Sequence, residues 1–203
     1  MTDTPPRRDW ASPAMIAFSL GASAYAWPRV GPRVPVRWDA AGDPAAFAGR
    51  AAGLLLVPLL AAALWAGMRL AARLVPEPEK AVVLCRTATL TVGLLATLHA
   101  LTLADTLGAD TARLAMPATG LFLIALARLI GRAGPAAVNG PFDEAVKERM
   151  AKACGVALDV SGLAFIAAGV VGTAWATYAA IGVSVLACPA ALTWAGAGGR
   201  TRT

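Results

Sequence analysis

The stretch AAGLLLVPLLAAALWAGMRLAARLV, residues 51–75, is apolar almost throughout, and its first charged side chain is Arg69. Roughly 20 apolar residues suffice for a helix to cross the hydrocarbon core, so this run predicts a transmembrane helix over 51–75. Segments of the same kind recur on both sides of it. They predict helices over 11–27, 82–104, 111–131, 153–172 and 174–197, the last two separated by a tight turn at VGTAW (171–175). The chain of 203 residues is 58% hydrophobic and 15% charged, with a mean hydropathy of +0.63, as integral membrane proteins are. The fold expected is therefore all-α, a polytopic transmembrane bundle of six helices forming one membrane domain.

Charge sets the orientation. With six spans, one side of the membrane holds Arg7, Arg8, Arg69, Arg73, Lys80, Arg86, Arg128, Arg132, Lys147, Arg149, Lys152, Arg200 and Arg202, while the other holds only Arg29, Arg33, Arg37, Arg50 and Arg113. The positive-inside rule then puts both termini in the cytoplasm and the loop 28–50 outside. A pI near 9.9 invites a nucleic-acid reading, but the basic residues sit at helix ends and form no stripe with interleaved aromatics. Topology and attraction to anionic lipid account for them, so no nucleic-acid partner is expected. Arginines also precede the first apolar segment, as in a signal peptide. No small-residue cleavage site leads into a soluble domain, so the first helix reads as a retained anchor.

The loop GPRVPVRWDAAGDPAAFAGR (31–50) is the least membrane-like part of the chain. Pro32 and Pro35 predict an extended approach and Gly42 a turn. Asp43 followed by Pro44 predicts the start of the second helix, with Phe47 and Arg50 in its first two turns. On an extended segment Arg37 and Asp39 share a face opposite Trp38, whose ring belongs at headgroup level. The candidate binding residues are thus Pro35, Arg37, Trp38, Asp39, Gly42 and Asp43.

The order Pro32, Val34, Pro35, Val36, Arg37, Trp38, Asp39, Gly42, Pro44, Phe47, Arg50 resembles the domain of unknown function 1648 family of SdpI-type bacterial membrane proteins, immunity proteins against a sporulation-delaying toxin. The family has histidine where this chain has Arg37 and aspartate where it has Ala45. Its arginine-threonine-proline-tryptophan motif is absent from GRAGPAAVNGPFDEAVKERM, residues 131–150. The resemblance implies a multi-pass protein of the bacterial cell membrane that protects it by binding a membrane-active peptide toxin or another partner. Arginine outnumbers lysine fifteen to three, the bias that GC-rich bacterial coding produces.

Two ionisable residues fall inside predicted spans, His99 and Asp159. His99 lies about 17 residues into its span and Asp159 about six into another from the inner side, roughly 15 Å apart in depth at about 1.5 Å per residue. A direct relay is not expected, although a small transporter or channel using both is the alternative functional reading. Thr87, Thr89, Thr91, Thr97 and Thr102 suit helix packing, and Gly155, Gly162 and Gly169, with Ala164, Ala168 and Gly172, suit close helix contact within the bundle or in a homo-oligomer. PFDEAVKERMAKA (141–153) reads as a charged helix extension, or a docking point for a cytoplasmic regulator. Cys85, Cys154 and Cys188 have no paired spacing, so neither a disulfide framework nor a metal site is expected. No nucleophile-base set or phosphate loop is present, so the chain reads as a non-enzyme without a cofactor.

Overall fold

The computed structural model describes residues 9–39, 44–109, 111, 114–138, 140 and 142–197, with Trp38, Ala174, Trp175 and 188–197 described by backbone alone. The chain order is α1 (Ala11–Ala26), β1 (Arg33–Trp38), β2 (Pro44–Gly49), α2 (Arg50–Leu74), α3 (Pro78–Thr106), α4 (Ala115–Ala133), a 3-10 turn (Gly134–Ala137), α5 (Glu144–Val171) and α6 (Ala174–Ala197). Among the described residues, four stretches are long and apolar enough to cross a membrane: Arg50–Leu74, Pro78–Thr106, Ala115–Ala137 and Glu144–Val171. The all-α six-helix bundle expected from hydropathy is what is observed, and the chain is a multi-pass membrane protein. A two-stranded hairpin is added to it.

Local chemistry explains most boundaries. Pro78 opens α3 at a position where its missing N–H costs nothing, with Glu79 in the first turn, so the helix starts four residues before the apolar run does. Asp143 caps α5 by accepting from the Val146 amide at 2.7 Å. Lys147–Glu144 and Lys152–Glu148 pairs at 3.1 and 2.8 Å line the first turns, which makes 144–152 the charged extension of the span. Gly172 ends α5 at φ +67°, in the left-handed region, and α6 follows after Thr173, as the VGTAW break implied.

One expectation fails. Pro44 does not begin a helix: residues 44–49 form β2, antiparallel to β1, and α2 starts at Arg50 with Gly49 as its cap. Phe47 therefore pairs with Pro35 on the hairpin and is not in a helical turn. The reason is tertiary. Returning beside β1 gives the backbone of both strands partners and holds Val34 against α2, a gain that the local preference of Asp43–Pro44 does not include. Val36 is bulged in the pairing, so the simple alternation that set Arg37 and Asp39 opposite Trp38 is interrupted. Gly42, Asp43 and the turn lie outside the described residues, as does the side chain of Trp38.

α1, α2 and α3 pack together beneath the hairpin, α4, α5 and α6 pack in sequence, and α3 against α4 joins the two groups. The α4–α5 seam uses the glycines spaced by seven. Gly162 faces Gly120, with Ile124 beside it; Gly169 meets Pro117; Gly155 lies by the Ala127 carbonyl. The second small-residue row faces α6, where Ala164 and Ala168 cluster with Ala176, Ala180, Phe165 and Met116. Both rows are thus used inside the bundle, except Gly172, which ends α5.

Candidate functional site

The hairpin is fixed by one side chain. Val34 is fully buried and clusters with Ala26, Val30, Leu54 and Leu103. It fits because position 53 is glycine: a Cβ there would stand 2.6 Å from the Val34 Cβ. Arg50 secures the base, its amide donating to the Pro32 carbonyl at 3.0 Å and its Nε to the Gly31 carbonyl at 3.2 Å. Arg29 lies 3.8 Å over the Tyr25 ring and donates to the Tyr25 carbonyl at 2.6 Å. What remains exposed is a surface with Arg33, Arg37 and Asp39 open, Val36 43% and Phe47 55% exposed, and Pro35 half-buried.

Beneath that seat lies a polar cluster that begins with a missing donor. Pro58 sits inside α2, fully buried, and has no N–H for the carbonyl four residues earlier, that of Leu54. A freed carbonyl in lipid must find a partner from another element. The Ser23 hydroxyl of α1 supplies it at 2.6 Å. Ser23 Oγ also lies 3.0 Å from the Ser19 carbonyl and 2.8 Å from His99 Nε2 on α3. A serine has one proton to give, and the shorter contact takes it. Nε2 of His99 therefore carries a proton and donates it to Ser23, which makes the neutral ring the Nε2–H form with Nδ1 bare. His99 is 1% exposed, and Nδ1 has no partner among the described residues.

A second cluster closes the opposite end of the same three helices. The Asp9 carboxylate accepts from the Ser12 amide at 3.2 Å, the Ser12 hydroxyl at 2.7 Å, the Thr89 hydroxyl of α3 at 3.1 Å and the Trp65 indole of α2 at 3.4 Å. Partial burial pushes its pKa up, but the hydrogen bonds from Ser12, Thr89 and Trp65 together outweigh burial and hold it below the usual carboxylate range. A carboxyl whose pKa falls on folding adds stability above its ordinary range, and that stability is lost as pH falls through the folded value. Thermal melts in detergent from pH 7 downward should show wild type losing stability in acid. Asp9→Ala should start lower by about 1 kcal/mol and lose less. Equal slopes for the two proteins would refute the assignment.

Of the residues singled out in the sequence, Pro35 and Arg37 lie on β1 and Asp39 directly after it. Asp159 is half-buried on α5 and makes no hydrogen bond or ion pair among the described residues, whereas His99 is turned toward α1 and α2. The two form no joint site. Thr89 serves the Asp9 cluster, while Thr97 bonds back to its own helix at Gly93. Cys85 and Cys154 are not joined in a disulfide, and no group of three metal-ligating side chains exists among the described residues. Asp9, Ser12, Ser19, Ser23 and Trp65 escaped the sequence reading. Two signals were there: Asp9 stands three before Ser12, a capping spacing, and Ser19 and Ser23 share a face one turn apart.

No curated protein and no solved structure matches the chain. Residues 14–62, the segment from α1 through the hairpin to the first half of α2 that supplies Ser19, Ser23, Val34, Leu54 and Pro58, match the family described as Domain of unknown function (DUF1648).

Proposed function

We propose that this protein is a non-enzymatic, immunity-type membrane protein, similar in role to SdpI-type proteins, whose hairpin faces outward and engages a membrane-active peptide at the surface of a bacterial cell membrane. The observation that carries this reading is the hairpin itself. A strand pair anchored by Val34 at Gly53 is rigid where a loop would not be, and it presents arginine, proline and aromatic surface together at a bundle end. A rigid surface loses little freedom when a partner docks. The charge bias of the chain, with both termini inside, supports the outward placement. The match over residues 14–62 supports the kinship, since it covers this same segment. A transport role is less favoured, because His99 and Asp159 do not meet.

The experiment compares strains with and without the protein under challenge by a panel of membrane-active peptides. Wild type should protect against at least one, and Arg37→Ala should reach normal abundance yet lose about tenfold in protection, the effect of one contact of about 1.4 kcal/mol. Gly53→Ala, which displaces Val34, should lose protection as well. If neither strain difference nor peptide binding appears while proteoliposomes carry an ion flux that Asp159→Asn abolishes, the transport reading replaces this one.

A further inference from the structure

We propose that His99 is a proton-operated latch: as a neutral ring it ties α1 and α2 to α3 through Ser23, and a second ring proton releases the seat on which the hairpin rests. The inference is independent of what the hairpin binds.

The geometry has three parts. First, the hydrogen-bond arithmetic around Ser23 admits one arrangement. The carbonyls of Leu54 and Ser19 can only accept, so the hydroxyl proton is spent on them and the ring must donate through Nε2. Secondly, Nδ1 is left bare and buried, with no hydrogen-bond partner among the described residues. A doubly protonated ring would bring one unsatisfied N–H and one unpaired charge into a buried place, a costly burial for a side chain. Thirdly, the cluster is joined to the hairpin. Leu54, whose carbonyl Ser23 holds, is also a wall of the Val34 pocket. Leu103 lies one turn beyond His99 on α3, and Ala26 one turn beyond Ser23 on α1.

Among the described residues no charged group is placed to offset the proton. α1 contains no Asp, Glu, Lys, Arg or His, and its Tyr25 is exposed. On α2 the nearest is Arg50, whose guanidinium is turned to Gly31. On α3 itself Asp105 stands six residues on, while Arg86 is near the other end of the helix. On the hairpin Arg33 and Arg37 are exposed, as is Asp39 just after β1. On α4 Arg128 and Arg132 belong to the end remote from the hairpin. A proton on His99 is therefore relieved only if the ring leaves the cluster. That withdraws Ser23 from Leu54 and loosens the wall behind Val34.

His99 is the only histidine in the chain, so its ring nitrogens can be read without assignment. Long-range proton–nitrogen spectra of labelled full-length protein in bicelles, taken from roughly pH 8 to about pH 5, the range in which histidine changes charge, report tautomer and protonation. Amide exchange over residues 33–49 on the same samples reports the seat. The expected result is a neutral Nε2–H ring at the upper end and exchange of the hairpin amides rising at least tenfold over the same interval in which the ring takes its second proton. His99→Gln, which keeps one neutral donor in place of Nε2–H, should keep the hairpin protected at every pH. An Nδ1–H tautomer, a ring that protonates while the hairpin stays protected, or acid release that persists in His99→Gln would each overturn the latch. Ser23→Thr, which keeps the hydroxyl, should retain the wild-type profile and guards against a variant that simply fails to fold.

Discussion

Gly162→Leu should leave almost no folded protein in the membrane. The seam between α4 and α5 is set by backbone contact: a Cβ at Gly162 would stand 2.6 Å from the Gly120 carbonyl oxygen and 2.7 Å from an Ile124 side-chain carbon, and a Cβ at Gly120 would strike the Gly162 carbonyl in return. Backbone cannot swing aside as a flexible side chain can, so the helices must separate along the seam. Overpacking in a close-packed interior costs about 1–3 kcal/mol and more when backbone must move. In lipid, where helix association rests on such packing and little else, that cost removes most of the association energy. Even Gly162→Ala should lower thermal stability in detergent measurably. The matched control is Gly67→Leu, a glycine with nothing near its missing side chain, which should fold at least as well as wild type. Equal abundance of Gly162→Leu and Gly67→Leu would show that α4 and α5 do not meet as described.

Ser23→Ala should cost about 2–4 kcal/mol, because it strands the Leu54 carbonyl and the Nε2 donor of His99 at once, and a buried unsatisfied group costs about 1–3 kcal/mol. The interest lies in its partner. Pro58→Ala restores an N–H in register with the Leu54 carbonyl, so the helix can close its own bond and Ser23 loses its first task. In the Pro58→Ala background Ser23→Ala should therefore cost less, by about 1 kcal/mol or more, a coupling that a double-mutant cycle in detergent melts would measure. Additive effects would mean that Ser23 does not stand in for the missing amide.

Much of this was legible before any coordinates. Lipid requires each span to satisfy its own backbone and to run about 20 residues, so hydropathy alone located six helices, and the VGTAW break and the charged run 141–153 marked where α5 stops and starts. The family segment was legible for a similar reason, since the spacing of prolines, aromatics and glycine in 31–50 is a local pattern that the match over 14–62 covers. Local chemistry could not decide what Asp43–Pro44 would do. The residues suit a helix start, and only pairing with β1, together with the seating of Val34 at Gly53, makes Pro44 the first residue of a strand. The buried cluster divides in the same way. Pro58 in an apolar run announces that the Leu54 carbonyl lacks its amide, because that is a consequence of covalent structure four residues away. The donor that answers it stands on another helix, 31 residues earlier in the chain, and the ring that holds that donor lies 76 residues later. No spacing rule reaches so far: which polar side chain meets a freed carbonyl depends on helix rotation and depth, and those are set by the packing of all three helices at once.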